Sequence, residues 1–305
     1  MTRVAAVDIG TNSTRLLVAD LDGDELRAVD RRTRITRLGQ GVDSARRLHP
    51  DAIDRTLAVL REYRQVIDEL GAERTRATAT SASRDAANRD AFFDPAERVL
   101  GVRPELISGE TEAGLTFAGA TAGLHEPAPF LVLDVGGGST ELIVGHTAPE
   151  GLVSVDIGCV RLTEQYLHGD PPAPEELSQA VSVVRDHLGD VDRELPAAHG
   201  AKTLVGTAGT VWTMAAVELG VDPSASERIH HFRLTRAAAE DVFRTLATEP
   251  ADRRRHNPGL EPGRVDVIVG GAIVVVSVMR HYGFDEMLVS EADILDGLAR
   301  SLRDP

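Results

Sequence analysis

The feature of this chain that most constrains its fold is a segment that occurs twice. Residues 8–18 read Asp-Ile-Gly-Thr-Asn-Ser-Thr-Arg-Leu-Leu-Val, and residues 134–144 read Asp-Val-Gly-Gly-Gly-Ser-Thr-Glu-Leu-Ile-Val. Apolar runs flank each copy, which predicts two strands joined by a tight glycine turn. Backbone N–H groups and small hydroxyl side chains in such turns form concave anion sites. The duplication therefore predicts two related lobes, each with a phosphate-binding turn, that face each other across a cleft.

Each copy begins with a carboxylate, Asp8 or Asp134. A carboxylate repels phosphate, but it can hold a divalent cation that phosphate also binds. We therefore expect phosphate and a metal ion to bind together at these turns.

Composition limits the partners of the chain. Its 305 residues suffice for two domains, and a hydrophobic content of 42% is ordinary for a soluble globular protein. The formal net charge of −15 disfavours nucleic acid and membrane surfaces as partners, so a polyanionic substrate needs local arginines, backbone amides and metal. The single cysteine, Cys159, excludes an internal disulfide. The sequence enters a strand pattern at once, which predicts a cytoplasmic protein without a signal peptide.

Alternating strand and helix patterns predict an α/β fold. Besides the two hairpins and a turn at Asp22-Gly23-Asp24, strands are expected at residues 26–31, 76–80, 102–107, 153–157, 202–205 and 287–290. Helices are expected at residues 51–70, 85–93, 110–119, 175–188, 265–280 and 292–302. The proline-bearing segment 125–129 is the predicted link between lobe I, residues 1–124, and lobe II, residues 125–290.

Further motifs narrow the assignment. Thr80-Ser-Ala-Ser-Arg-Asp-Ala86 and Ile107-Ser-Gly-Glu-Thr-Glu-Ala113 lie between the hairpins. The second hairpin is followed by Gly158-Cys-Val-Arg-Leu-Thr-Glu164, Gly206-Thr-Ala-Gly-Thr210 and Ser290-Glu-Ala-Asp-Ile-Leu-Asp-Gly297. The hairpins resemble the phosphate loops of the actin, Hsp70 and sugar-kinase superfamily. The whole ordered set resembles the exopolyphosphatase and guanosine pentaphosphate phosphatase (Ppx/GppA) family.

This resemblance implies two related ribonuclease H-like lobes with an interdomain cleft, and a last helix, residues 291–305, that packs back on lobe I. It implies the short two-domain form of the family, because a longer member would continue into a further helical region. The implied activity is metal-assisted release of terminal orthophosphate from inorganic polyphosphate, with Mg²⁺ as the cofactor and Mn²⁺ as an alternative. A homodimer is one possible assembly.

The resemblance implies functional roles for two residues of lobe I. Glu112 matches the family's catalytic glutamate and would orient the attacking water, whereas from the residues alone it is a first-turn carboxylate favoured by the helix dipole. Arg84 matches an arginine that reaches substrate phosphate; otherwise it is a surface arginine at a helix terminus. Thr111 and Gly114 depart from the family, which frequently has an acidic residue and an arginine there.

The remaining predicted site residues belong to the turns. Asp134 and Glu141 match carboxylates that serve metal and the nucleophilic water, and Asp8 is the counterpart of Asp134 in lobe I. Glycine permits close backbone approach, so the turns are expected to donate N–H groups to phosphate. The predicted phosphate-binding residues, besides Arg84, are Gly10, Thr11, Asn12, Ser13, Gly136, Gly137, Gly138, Ser139, Thr140, Gly206 and Thr207.

Three alternatives stay open. Arg161 either binds an anion or ties the lobes together. The basic segments Arg228–Arg233 and Arg253–Arg255 either track a polyphosphate chain or form a solvated face. Residues 269–273 stand where the superfamily has an adenosine loop, but they also fit a helix. The competing functions are accordingly a guanosine pentaphosphate 5′-phosphatase and a non-hydrolytic sensor of polyphosphate or alarmone.

Overall fold

The structure, a computed structural model, describes residues 1–23 and 25–303. It contains two compact units. Unit 1 comprises Met1–Gly119 together with the segment that begins at Ala292, and unit 2 comprises Ala120–Glu291.

The strands of the described chain are, in order, β1 Thr2–Ile9, β2 Ser13–Asp22, β3 Glu25–Ile35, β4 Arg74–Ala79, β5 Glu105–Leu106, β6 Phe130–Val135, β7 Thr140–Gly145, β8 Pro149–Val155, β9 Thr203–Thr207, β10 Arg233–Thr235 and β11 Glu286–Val289. The α-helices are α1 Val42–Ala45, α2 Pro50–Glu69, α3 Ser81–Asp85, α4 Asp90–Leu100, α5 Gly109–Ala120, α6 Cys159–Tyr166, α7 Pro174–Glu194, α8 Ala208–Leu219, α9 Ser226–Ile229, α10 Arg236–Thr248, α11 Ala251–Arg254, α12 Ile268–Tyr282 and α13 Ile294–Arg300. Short 3₁₀ turns lie at Pro196–Gly200 and Pro262–Arg264.

The duplication seen in the sequence is a duplication of topology. The sheet of unit 1 has the order β3-β2-β1-β4-β5, and the sheet of unit 2, read from β8, has the order β8-β7-β6-β9-β11-β10. In each sheet the first three strands are antiparallel and the next strand is parallel to the third. The predicted α/β class with two related ribonuclease H-like lobes is therefore confirmed.

The apolar run before the first turn is buried on both faces of its sheet. Ala5, Val7 and Ile9 pack with residues of α2 and α4, whereas Val4 and Ala6 pack with α13. Alternate residues of a strand point to opposite faces, so a central strand between helices needs a continuous apolar run. This packing holds the end of β1, where Asp8 lies, in a fixed position.

Helix α13 is shorter than the predicted closing helix, whose last residues, 304 and 305, lie outside the described residues. Asp293 caps it: the Asp293 carboxylate accepts from the Leu295 N–H at 2.9 Å, and the Asp296 carboxylate accepts from the Asp293 N–H at 3.1 Å. This reciprocal cap starts the helix at Asp293, because it satisfies N–H groups that the first turn leaves unpaired.

Two predicted elements between the hairpins are wrong. The helix expected at residues 85–93 is split into α3 and α4, because the Asn88 side chain bonds to both the N–H and the C=O of Leu48, at 2.7 and 3.0 Å. The strand expected at 102–107 is reduced to β5, since Pro104 has no N–H to donate to a ladder.

The other predicted elements are present with shifted ends, and α12 continues through Gly270 and Gly271. A Cβ at Gly270 would lie 2.6 Å from Thr163 Oγ1, and one at Gly271 would lie 2.5 Å from Thr210 Cγ2. The glycines thus let α12 approach α6 and α8 closely. The predicted turn at Asp22-Gly23-Asp24 includes Asp24, which lies outside the described residues. Among the described helices, none combines the length and apolar character needed to cross a membrane.

Candidate active site

The two glycine turns have the same internal geometry. The Gly10 N–H donates to Ser13 O at 2.9 Å, and the Gly136 N–H donates to Ser139 O at 3.0 Å. In both turns a Cβ on the first glycine would lie 3.0 Å from that serine carbonyl oxygen. The N–H groups of Gly10 and Gly136 are therefore engaged within their turns, so these glycines serve to close the turn.

The turn of unit 1 is fastened from behind. Asn12 O accepts from the N–H groups of Thr36 and Arg37, at 3.0 and 2.9 Å, and Thr11 O accepts from Gly39 N–H at 2.8 Å. The Thr11 hydroxyl accepts from Ala82 N–H, at the start of α3, at 3.2 Å. Thr11 and Asn12 are buried, whereas Gly10 and Ser13 are partly exposed. The turn is consequently rigid before any ligand binds.

Asp8 lies in a buried ion-pair network that the sequence did not predict. Its Oδ2 accepts from Arg15 Nε and Nη2, at 3.0 and 2.7 Å, and Arg15 Nη1 also pairs with Asp293. Burial raises the pKa of Asp8 above its usual range, although Arg15 lowers that pKa. The buried Oδ1 of Asp8 has no hydrogen-bond partner among the described residues, which leaves one oxygen for a cation or water.

Arg84 and Glu112 lie together in unit 1. Arg84 Nη1 donates to Glu112 Oε2 at 2.8 Å and to Ile107 O at 3.0 Å. Their side chains are 24% and 13% exposed, so the pair is sheltered but reachable by solvent. The family resemblance predicted a role for both residues. Helices α3 and α5 bring them together although 28 residues separate them in the sequence.

In unit 2, Asp134 and Glu141 are directly opposite each other on β6 and β7. Both are buried, with 6% and 1% of the residue exposed. Directly opposed side chains lie on the same face of a sheet, and like charges in these positions repel. Ser154 donates to Glu141 Oε1 at 2.7 Å, which satisfies one carboxylate oxygen. An oxygen-rich, repulsive pair of this kind is stabilised by a hard divalent cation, and the donor set therefore fits Mg²⁺.

The start of α6 holds the second glycine turn in place. Gly136 O accepts from Cys159 N–H and Gly137 O accepts from Val160 N–H, each at 2.9 Å. Arg161 Nε donates to Gly138 O at 2.9 Å. A Cβ at Gly158 would lie 2.5 Å from the carbonyl carbon and oxygen of Gly137, so only glycine permits this approach. Arg161 thus supports the turn within unit 2.

The third turn, residues 206–210, connects β9 to α8 in a strained conformation. Ala208 has φ +65°, which is unfavourable for any residue with a Cβ, and such strain is common at functional sites. Thr207 is fully buried beside Asp134 in the ladder, and its Oγ1 has no partner among the described residues. The buried guanidinium of Arg264 lies directly against Gly209.

The sequence did not identify Arg264 or Asp293 as site residues. Asp293 lies in the motif at residues 290–297, and this motif was a signal that could have pointed to it. Arg264 follows Pro262-Gly263 in a segment without periodicity. Both act through contacts with residues distant in sequence, so pattern alone offers little to find them.

Two arginines of the basic segments make structural contacts, whereas Arg228, Arg253 and Arg255 are exposed. Arg254 is buried and donates to Glu249 O, Val265 O and the Asp170 carboxylate, at 3.0, 3.0 and 2.7 Å. Arg233 pairs with Glu286 and Glu126. Each of these two guanidinium groups links separate segments of unit 2, so neither serves only as solvated surface. The residues at 269–273 are buried within α12, so the helical alternative holds for them.

Comparison with known proteins agrees with the motifs. The model of the Ppx/GppA phosphatase family matches residues 17–303. Exopolyphosphatase 2 of Mycobacterium tuberculosis is 45% identical over 316 residues, which cover 99% of each chain. Guanosine-5′-triphosphate,3′-diphosphate pyrophosphatase of Aeromonas hydrophila is 30% identical over 299 residues, 98% of this chain and 59% of that protein. A solved exopolyphosphatase-like protein has a TM-score of 0.94 at 38% identity, covering 98% of this chain and 97% of its own.

Proposed function

The chain belongs to the Ppx/GppA phosphatase family, and we propose that it is an exopolyphosphatase, a hydrolase that releases terminal orthophosphate from inorganic polyphosphate. The structural observation that supports this most strongly is the buried pair of opposed carboxylates, Asp134 and Glu141, beside a glycine turn. The 45% identity to a protein named exopolyphosphatase 2, which extends over 99% of each chain, also supports polyphosphate as the substrate.

In unit 2, Asp134 and Glu141 would hold Mg²⁺, which when bound neutralises charge on the phosphate oxygens. In unit 1, the free oxygen of Asp8 is a further candidate ligand. Mn²⁺ would fit the same oxygen donors. Since Arg15 already binds the other oxygen of Asp8, we assign Asp8 the weaker contribution.

Phosphate binding is assigned to residues of the turns and to Arg84; of these, Ser13, Arg84 and Gly137 are partly exposed, whereas Gly138, Ser139 and Thr140 are buried. In unit 1 the assigned groups are the N–H of Ser13 and the guanidinium of Arg84; in unit 2 they are the N–H groups of Gly137 and Gly138 with the Ser139 and Thr140 hydroxyls. The Thr140 hydroxyl is buried and donates to Ile157 O at 2.6 Å, so it would have to give up this hydrogen bond before it could donate to a phosphate oxygen. Thr207, with its unpartnered hydroxyl, is the candidate in the third turn.

Glu112 is the proposed general base. Water attacks the terminal phosphorus, the bond from that phosphorus to the bridging oxygen breaks, and Glu112 accepts the proton of the water. Arg84 fixes the orientation of the Glu112 carboxylate through Oε2. At the two departures from the family, the Thr111 hydroxyl lies 3.1 Å from Ser108 Oγ, and Gly114 has no side chain.

A guanosine pentaphosphate 5′-phosphatase is the second candidate, favoured by the similarity to the Aeromonas hydrophila protein. The chemistry would be identical, but a purine pocket is required. Residues 269–273 do not provide an adenosine-type loop, since they are buried in α12. Inorganic polyphosphate is therefore the preferred substrate.

We also propose that the protein is cytoplasmic and that it forms a homodimer.

The test is orthophosphate release with Mg²⁺ from short and long polyphosphate, guanosine pentaphosphate and ATP. We expect polyphosphate to be the best substrate and Glu112→Gln to lower kcat by about 10²–10⁴-fold, the usual contribution of a general base. Glu110→Gln is the matched control, because Glu110 lies exposed in the same helical turn. Tight polyphosphate binding by a folded wild type without release would instead support the sensor.

A further inference from the structure

Two histidines and an aspartate from three separate elements meet in unit 2. Asp192 lies near the end of α7, His199 in the 3₁₀ turn Pro196–Gly200, and His281 near the end of α12. His199 Nε2 lies 2.9 Å from Asp192 Oδ1, and His281 Nε2 lies 2.8 Å from Asp192 Oδ2. One potential ligand atom of each residue lies within 4.8 Å of the other two.

The aromatic ring of Tyr282 holds the two imidazoles in place. Its centroid lies 5.0 Å from that of His199 and 4.8 Å from that of His281, and the imidazole centroids are 5.8 Å apart. Preorganised side chains lose less conformational entropy when they bind a ligand. The side chains of Asp192, His199 and His281 are 30%, 52% and 21% exposed, so an ion can reach them from solvent.

The spacing of the three groups suits a metal ion as well as hydrogen bonds. A carboxylate only accepts, so each imidazole carries a proton on Nε2 in the hydrogen-bonded arrangement. A metal ion would take the place of the proton on each Nε2, and each ring would bind as a neutral imidazole that carries its one proton on Nδ1. In a tetrahedral zinc site with bonds of roughly 2.0–2.2 Å, neighbouring ligand atoms lie about 3.3–3.5 Å apart. The two nitrogen–oxygen separations of 2.9 and 2.8 Å need to lengthen by about half an ångström, and any wider separation within the 4.8 Å limit needs to shorten, to reach this range.

The cluster lies at the opposite end of the sheet from Asp134. The 3₁₀ turn that carries His199 precedes β9, and β9 runs parallel to β6 with Phe130 beside Thr203 and Asp134 beside Thr207. Four residues of strand separate these two pairs, a distance of roughly 13 Å at the usual rise. The cluster is therefore separate from the carboxylates assigned to the hydrolytic reaction.

We propose that Asp192, His199 and His281 form a Zn²⁺ site that links α7, the 3₁₀ turn and α12. Imidazole with a single carboxylate suits zinc, whereas Mg²⁺ prefers an all-oxygen set. Three protein ligands leave a fourth position for solvent. Because the ligands come from three elements that are brought together only by folding, zinc binding stabilises the folded state.

The test uses the full chain, stripped of metal, and measures Zn²⁺ binding by calorimetry together with the melting temperature. We expect one zinc-binding event to weaken by about tenfold or more in each of His199→Gln, His281→Gln and Asp192→Asn, since losing even an outer-sphere partner costs 10–100-fold. His146→Gln is the matched control, because His146 pairs with a single carboxylate, Glu150, on the surface of the same unit. Asp134→Asn separates this event from metal at the hydrolytic carboxylates and should leave it unchanged.

Zinc should also raise the melting temperature of wild type and His146→Gln but not of His281→Gln. The proposal is overturned if wild type binds no zinc, or if the zinc affinity is the same in wild type and in folded His199→Gln and His281→Gln. It is equally overturned if Asp134→Asn, and not the histidine variants, abolishes the event. Neither result would bear on polyphosphate hydrolysis, which is measured separately with Mg²⁺.

Discussion

Arg84 Nη1 donates to Glu112 Oε2 at 2.8 Å, and the same nitrogen donates to the carbonyl of Ile107 at 3.0 Å. One guanidinium thus ties the start of α5 to the end of α3 and leaves its remaining N–H groups for another acceptor. The carboxylate assigned as the base and the cation assigned to phosphate are therefore a single structural unit.

Arg84→Lys should separate the shape of this cation from its charge. An ammonium keeps the charge but cannot reproduce the planar fork, so orientation of Glu112 is lost. We expect kcat/KM for polyphosphate to fall by about 10–100-fold, in line with the loss of one or two charge-assisted hydrogen bonds. Steady-state phosphate release measures this. Arg103→Lys is the control, because Arg103 is an exposed arginine that pairs with the exposed carboxylates Asp90, Asp94 and Glu97; equal kinetics in the two variants would contradict the role of Arg84.

Asp134→Asn should change the metal requirement of the reaction. Removing one of two opposed carboxylates weakens the binding of a hard divalent cation. The Mg²⁺ concentration that gives half-maximal activity should therefore rise by about tenfold or more. Titration of activity with Mg²⁺ checks this, with Glu150→Gln on β8 as a surface control. An unchanged Mg²⁺ dependence with reduced kcat would argue that Asp134 does not bind the metal.

Gly158→Ala should distort the second glycine turn. The added Cβ would lie 2.5 Å from Gly137, and overpacking of this kind costs about 1–3 kcal/mol. We expect a lower melting temperature and a disproportionate loss of kcat/KM, since the turn itself moves. Gly189→Ala in α7 is the matched control: a Cβ there meets nothing within 4 Å, so it should stabilise the helix by about 0.5–1 kcal/mol. Wild-type kinetics in Gly158→Ala would show that the turn geometry is unimportant.

Asp20→Asn should reduce stability at neutral pH but not in acid. Hydrogen bonds from Arg3 and Arg27 lower the pKa of Asp20 to about 2, below the ordinary value of 3.8. A lowered pKa contributes stability that is present above the unfolded-state pKa and is lost as the pH falls toward the folded-state pKa. We expect the variant to lose about 1–2 kcal/mol of unfolding free energy at pH 7, with the difference vanishing between pH 4 and pH 2. Urea titrations at several pH values measure it; a difference that is constant with pH would exclude this ion pair as the cause.

The repeated hairpin determined the most from sequence alone. Strand, glycine turn and strand are local features, because the alternation of apolar residues and the freedom of glycine act over a few neighbours. The α/β class, the duplicated topology and the family followed from the turns and the ordered motifs. Element ends were less certain: the link from Asn88 to Leu48, across 40 residues, split a helix that local periodicity predicted as one.

The tertiary structure decided which charged groups meet. Arg15 binds Asp293 across 278 residues, Arg264 lies against Gly209, and Asp192 bridges two histidines from different elements. Such contacts depend on how strands and helices pack, and no short-range pattern encodes a distance between residues far apart in the chain. The sequence therefore determined where the turns and the family's motifs lie, whereas packing alone decided that Asp8 shares Arg15 with Asp293 and that Asp192 meets His199 and His281.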